Sequence, residues 1–272
     1  MSSRRANVCY IARVEGQGSI NVEVGSAGEV RRSEFAIFEP MRFFEAFLRG
    51  RKFSEVHELA SRVCGICPIA HQIAALRAVE NAFGIQVSEQ TRELRRLLGL
   101  SAWIQSHCLS VFFLTAPDYL GFDGAISMAG EHRDLVELAL RTKKLANDIG
   151  ELVGGRAVHP ISAVVGGFTG IPAKEELQPL LARLQRARKE VLGAAKTIAG
   201  FDYPTLDLQS ELVCISNEDR YAVNEGRLVS NMGLDAAEGE YRNFIIEKQV
   251  RHSNAKQSRI AGRGTFMVGP LA

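Results

Sequence analysis

The residues Arg62-Val63-Cys64-Gly65-Ile66-Cys67-Pro68-Ile69-Ala70-His71 carry the densest chemistry of this chain. Two cysteines stand three apart, and a histidine follows the second by four. Thiolates at this spacing hold one soft metal or bridge two. Pro68 suits the first position of a helix, where its missing N–H costs nothing. Both sulfurs then lie at or just before a helix N-terminus. The positive end of the helix dipole favours thiolate there, and Arg62 pushes the same way. Spacing alone leaves three readings open: a metal site, a redox dithiol or a structural pair. A tetrahedral zinc site wants four ligands. Cys9, Cys108 and Cys214 offer no second pair, although His107 adjoins Cys108, and these three are expected to be buried small hydrophobes.

The elements that must position these residues are legible in outline. Residues 19–24 alternate apolar and polar, residues 25–28 form a Gly/Ser turn cluster, and residues 30–38 read as a second strand. That is a hairpin, with Glu15 just before it. Pro40 opens a predicted helix from about Met41 to Arg49, ended by Gly50. Past Pro68, the residues Ile69, Ile73, Leu76, Val79 and Phe83 mark one helix face, with Gly84 as its stop. Ser88 is a candidate N-cap for the next helix, which Pro117 should end. Leu135, Leu138, Thr142, Leu145, Ile149 and Leu152 follow a 3-4-3-4 spacing, that of a helix in a bundle. Leu177, Leu180, Leu181, Leu184 and Val191 mark another, with Arg183, Arg186 and Lys189 mostly outward. Short strands are expected around 211–215 and 227–230. The fold class is therefore α+β, mainly helical: a small N-terminal antiparallel sheet packed on a long-helix bundle.

Composition narrows the function classes. The chain has 272 residues, 46% hydrophobic and 24% charged, which are ordinary values for a globular protein. A net charge of +2 with no basic arm argues against nucleic acid. Five cysteines, an odd count in a chain this long, make no disulfide framework and favour a reducing, cytoplasmic setting. No apolar segment of a signal peptide is visible before Gly18. Leu97 to Ala116 holds no charged residue and is long enough to span a bilayer. It also holds Gly99, Ser101, Gln105, Ser106, His107, Ser110 and Thr115. Those polar groups favour a buried core helix.

The longer word Arg-x-Cys-Gly-x-Cys-x-x-x-His resembles the N-terminal signature of the nickel–iron hydrogenase large subunit. Four further elements follow the same order. Residues 13–18, Arg-Val-Glu-Gly-Gln-Gly, resemble the family's opening element, and residues 38–51 resemble the segment before the cysteine word. Residues 154–167, from Gly-Gly-Arg-Ala-Val-His-Pro to Gly166-Gly167, are similar to its middle glycine–histidine element. His252-Ser253 through Ala272 looks like a later segment. The Ile-Cys-Pro wording is most like the cytoplasmic, NAD(P)-linked or sulfur-reducing branch.

What the resemblance implies is specific. The first cysteine of the word is a terminal nickel ligand and the second bridges nickel and iron, roles that fall on Cys64 and Cys67. Carbon monoxide and cyanide on the iron come with the family. Glu15 becomes the proton shuttle, since splitting H2 heterolytically needs a nearby base and a partly buried glutamate can be tuned for it. Glu45 resembles the glutamate that binds Mg2+, an ion that takes hard oxygen ligands. His71, one helical turn past Cys67, can hydrogen-bond its sulfur; a satisfied core histidine is the alternative. His159 can line the site or simply pack. An iron–sulfur small subunit is the implied partner, with NAD(P)/flavin diaphorase subunits beyond it, because this chain has too few cysteines to wire electrons out.

One departure stands out. The family's site takes two C-x-x-C pairs, and this chain has one. The expectation is a single domain over 1–272 that forms the N-terminal part of a longer subunit, reversibly oxidising H2 when complete. The alternatives are a truncated, non-catalytic relative acting as a subunit-interaction module, or a free-standing zinc or redox dithiol protein.

Overall fold

The structure, a computed structural model, describes residues 4–205 and 209–272. In chain order, β1 (Arg4–Val8), β2 (Gly18–Val24) and β3 (Val30–Ile37) precede the helices α1 (Arg42–Leu48), α2 (Phe53–Ser61), α3 (Pro68–Phe83) and α4 (Glu89–Cys108). A π-helical stretch, Leu109–Thr115, joins α4 to α5 (Ala116–Leu120); α6 (Ala125–Met128) and α7 (Arg133–Gly154) follow. Then come β4 (Ala163–Val164), β5 (Gly167–Phe168) and α8 (Lys174–Ala199). The last part holds β6 (Glu211–Ser216), β7 (Arg227–Ser230), β8 (Asp235–Ala237), α9 (Tyr241–Phe244), β9 (Ile245–Lys248), β10 (Gln257–Ile260) and β11 (Phe266–Met267). The class is α+β with long helices, as the periodicities predict.

Two compact units emerge: Met1–Arg49 with Asp207–Ala272, and Gly50–Leu206. No shift of composition marks either seam, so nothing in the sequence announces the division. In the first unit, β1, β2 and β3 form an antiparallel sheet in that order. The predicted hairpin is β2–β3; β1 is an added strand whose residues are all exposed, which explains why it shows no burial pattern. The later chain returns to this sheet. Asn254 donates its backbone N–H to the Ile37 carbonyl at 2.7 Å and its side-chain amide to the Phe38 carbonyl at 2.9 Å. A second sheet, ordered β11-β6-β7-β8, buries Val213, Leu234 and Ile260.

The second unit is the helical bundle. Ile69, Ile73 and Leu76 of α3 meet Leu98 and Ala102 of α4, Val153 of α7 and Ala163 of β4. Leu145 and Ile149 of α7 pack on Leu180 of α8. Fully burying a side chain such as Leu76 or Leu98 contributes on the order of 2 kcal/mol. The 3-4-3-4 stripe on α7 is confirmed: Leu138, Thr142, Leu145 and Ile149 are buried, with Leu135 and Leu152 half-buried at the margins.

Three expectations need correction. Phe83 is 60% exposed and makes an edge-on contact with Phe53, so the α3 core face ends at Glu80. Leu181 is also exposed, because the stripe of α8 is narrower than its leucines suggest. Pro117 does not end a helix. The π-helical stretch widens the turn before it, and the chain runs on to Leu120, where Gly121 takes φ +80 and stops it. A π turn re-registers the backbone bonds, so Pro117 can sit in the next turn without an N–H to give. The run Glu89–Leu120 is long and apolar enough by length and composition to cross a membrane. In the structure, however, its Leu98, Ala102, Cys108, Phe112 and Ala116 are buried in protein contacts.

Candidate metal centre

Six residues, 62–67, link the end of α2 to the start of α3. Cys67 is the residue before the first turn of α3, and Pro68 fills the first helical position. The Cys67 backbone N–H donates to the Cys64 sulfur at 3.0 Å, which closes the loop on itself. Gly65 sits at its tip with open space around it. Cys64 is 8% exposed and Cys67 half-buried. His71, one turn further along α3, is also half-buried. One donor atom from each of Cys64, Cys67 and His71 lies within 4.8 Å of the others. Burial pushes the His71 imidazole below its ordinary pKa, so the ring is neutral near pH 7.

Do these residues suit nickel and iron? Two sulfurs and an imidazole nitrogen are the soft and borderline donors such metals take. They converge where a helix dipole favours negative charge. On donor chemistry the set fits. The structure pairs Cys64 and Cys67 as a disulfide, with Cα atoms 5.4 Å apart; a metal requires the pair reduced to thiolates. Arg62 pairs with the Glu58 carboxylate at 3.5 Å.

The other predicted site residues belong to the first unit. Glu15 is exposed in the link between β1 and β2, a link that takes positive φ at Arg13 and Gly16. Glu45 is exposed on α1 and engaged by cations: Lys256 Nζ lies 3.2 Å from its carboxylate and Arg42 Nε 3.7 Å. The hydrogen bond from Lys256 is the main reason its carboxyl lies below the usual glutamate value. Of the remaining cysteines, Cys108 is buried as expected and its thiol is pushed up by that burial, while Cys214 is half-buried. Cys9 corrects the expectation: it is exposed, one residue beyond the all-exposed β1.

Sequence reasoning missed the polar framework around the cysteine loop. The side-chain amide of Gln72, fully buried on α3, donates to the Pro160 carbonyl at 2.6 Å. His159 donates from Nδ1 to the Ser61 carbonyl at 2.9 Å. Glu80 and Arg95 form a buried pair. Their signal lay in the helical register: Glu80 continues the Ile69-Ile73-Leu76 stripe, and Arg95 lies on the face of Thr91, Leu98 and Ala102. A charge on a core stripe asks for a partner on the facing helix.

Residues 42–137 match the family model described as nickel-dependent hydrogenase. The alpha subunit of sulfhydrogenase 2 from Pyrococcus furiosus is 39% identical over 265 residues, covering 95% of this chain. The alpha subunit of sulfhydrogenase 1 from the same organism is 33% identical over 269 residues, covering 97%. The chain spans 60% and 61% of the length of these two relatives. A crystal structure of an NAD+-reducing [NiFe]-hydrogenase in the H2-reduced state superposes with a TM-score of 0.88 at 25% identity, over 99% of this chain and 65% of that one. With the cysteine word inside the matched segment and near-complete coverage of this sequence by both relatives, the chain is similar along almost its whole length to the alpha subunits of nickel-dependent hydrogenases.

Proposed function

We propose that this chain supplies half of the nickel–iron centre of a hydrogenase, an oxidoreductase that reversibly converts H2 to two protons and two electrons. One observation carries the reading: the donor atoms of Cys64, Cys67 and His71 gather within 4.8 Å at the start of a helix. When bound, the nickel–iron pair, with carbon monoxide and cyanide on iron, supplies the Lewis acidity that polarises H2 and the redox levels that take its electrons. Cys64 and Cys67, reduced to thiolates, would hold the pair: Cys64 would bind nickel, and Cys67 would be the thiolate available to both metals. His71, whose ring nitrogen lies within 4.8 Å of the Cys67 sulfur, would hydrogen-bond that sulfur once the pair is reduced and so set how much charge it gives up. Glu15 accepts the proton and, being exposed, passes it to water. Glu45 is the carboxylate for Mg2+, in competition with the Lys256 ammonium.

The pattern of two metal-binding pairs in the family leaves two thiolates to come from elsewhere in the complete protein. Electrons leave through an iron–sulfur small subunit, since no cysteine set of this chain remains to hold a cluster. The similar NAD+-reducing enzyme and the sulfhydrogenase relatives support NAD(P)/flavin diaphorase partners and a cytoplasmic setting.

The test is made on the complex. A tagged chain is isolated anaerobically with whatever it assembles with, and nickel, iron and H2-dependent reduction of a viologen dye are measured. Cys64→Ser and Cys67→Ser should each abolish dye reduction and lower bound nickel. Unchanged nickel and activity in both variants would sink the reading. An assembled wild-type complex without nickel would favour the subunit-interaction module instead.

A further inference from the structure

The cysteine loop springs from two ends, and both are tied to one short segment. At the first end stands Ser61, the last residue of α2. The final carbonyls of a helix have no partner within it. The Ser61 carbonyl takes the Nδ1–H of His159 at 2.9 Å, while the Ser61 hydroxyl turns back to the Glu58 carbonyl at 2.7 Å. Past the second end, in the second turn of α3, stands Gln72, one residue after His71, whose amide donates to the carbonyl of Pro160 at 2.6 Å. His159 and Pro160 are neighbours in sequence. Two adjacent residues therefore hold both flanks of the loop that carries Cys64 and Cys67.

The segment is built to stay put. It leaves α7 at Gly154, whose carbonyl accepts the N–H groups of Ile161 and Ser162 at 2.8 and 3.0 Å. A Cβ on Gly154 would lie 2.8 Å from that of Pro160, so glycine is what lets the turn close. His159 itself has φ +52, a left-handed conformation sparsely populated by residues with a side chain. Such a conformation persists where the surroundings over-determine it, and it clusters where geometry serves function. The ring's proton position also follows. A carbonyl only accepts, so Nδ1 carries hydrogen in every charge state that keeps this bond.

We propose that His159 is a positioning residue for the Cys64–Cys67 loop. Through the Ser61 carbonyl it fixes where the loop begins, while Gln72 on the Pro160 carbonyl ties the helix that follows the loop to the same segment, and the spacing of the two sulfurs follows. This rests on the metal-centre reading above for its purpose, though the positioning itself does not require a metal.

Two variants separate the donor from the backbone. His159→Gly relieves the left-handed backbone and removes the N–H. His159→Asn tolerates the same backbone and offers an amide N–H close to the place of Nδ1. The full chain, reduced, is titrated with Ni2+ alone and followed by the thiolate-to-nickel charge-transfer absorption. In parallel, the Cys64/Cys67 pair is equilibrated with glutathione. There, two thiols give two electrons and two protons to one glutathione disulfide, leaving a protein disulfide and two glutathione thiols. His159→Gly should weaken Ni2+ binding roughly tenfold, as loss of an outer hydrogen bond does at metal sites, and should shift the glutathione equilibrium toward the open dithiol. His159→Asn should restore both. The proposal is overturned if both variants match the wild type, or if Asn loses as much as Gly. A wild-type chain that binds no Ni2+, but whose thiol equilibrium responds to Gly and not to Asn, would keep the positioning role and remove the metal reading.

Discussion

Arg95 grips Glu80 through two parallel hydrogen bonds, Nη1–H to Oε2 at 2.7 Å and Nη2–H to Oε1 at 2.6 Å, with side chains 4% and 5% exposed. Nη2 also donates to the Val164 carbonyl at 3.1 Å, and the Gly166 N–H donates to Glu80 at 2.8 Å. One ion pair thus joins α3, α4 and the β4–β5 hairpin. Removing a single partner strands a buried charge, which costs about 3–5 kcal/mol, whereas replacing both with apolar groups is often near neutral. Glu80→Leu should therefore be strongly destabilising in urea unfolding, and Glu80→Leu with Arg95→Met should recover most of the loss. A double variant no more stable than the single one would show that the hydrogen bonds to the hairpin, not the charge balance, hold the pair in place.

The same carboxylate sets an acid limit. Burial alone would raise the Glu80 pKa, but the Arg95 hydrogen bonds, the Gly166 N–H and the charge of Arg95 together hold it below the ordinary glutamate value. A group whose folded pKa is depressed contributes stability above its unfolded pKa and loses it as pH falls through the folded one. The unfolded value is about 4.3. Stability should fall as pH drops below that point, and the drop should be shallower in Glu80→Leu/Arg95→Met. Equal slopes for the two proteins would assign the acid sensitivity to other groups.

These two residues also mark the limit of what the sequence discloses. The cysteine loop, Pro68 at the start of α3, Gly84 at its end and the α7 stripe are local: each is specified by residues a turn or two apart, and each is found in the structure. The Ser88 cap is also as predicted, accepting the Thr91 N–H at 3.2 Å. Glu80 with Arg95, and His159 with Ser61, join residues 15 and 98 positions apart. No periodicity encodes such a pairing; only the anomaly of a polar group on an apolar face hints at it. Pro117 fails for a related reason, since a π turn relieves a proline without any residue type to announce it. Glu15 and Glu45 were named by resemblance, because an exposed carboxylate has no physical signature in a sequence.

Gly154 offers a test of the segment that carries His159. Its Cβ position meets Pro160 Cβ at 2.8 Å and Leu98 Cδ1 at 3.1 Å, and Pro160 is fully buried. Pro160 is a rigid ring, and the Leu98 methyl is fully buried in the core, so neither moves aside freely. Gly154→Ala should destabilise the fold by about 1–3 kcal/mol, the usual cost of overpacking. That cost exceeds the helix-propensity gain of about 1 kcal/mol from replacing glycine. Thermal unfolding decides it: a rise in Tm would mean that the turn has slack.

Lys256 bears on the magnesium reading. Its ammonium lies 3.2 Å from Glu45 and 3.2 Å from Glu247, so two carboxylates already share one cation. Mg2+ requires near-ideal octahedral oxygen ligation and gives up water reluctantly. To bind at Glu45 it must displace the ammonium or share the carboxylate with it. Lys256→Met removes the competitor and leaves Glu45 and Glu247 facing each other, an arrangement that raises affinity for any divalent cation by ordinary Coulomb attraction. Titration with Mg2+ should show tighter binding in Lys256→Met than in the wild type, and the gain should vanish when Glu45→Gln is added. If Lys256→Met binds no better, the carboxylates do not converge on an ion. If the gain survives Glu45→Gln, Glu247 rather than Glu45 is the ligand. The wild-type affinity then reports how far the intact lysine holds the magnesium role in check.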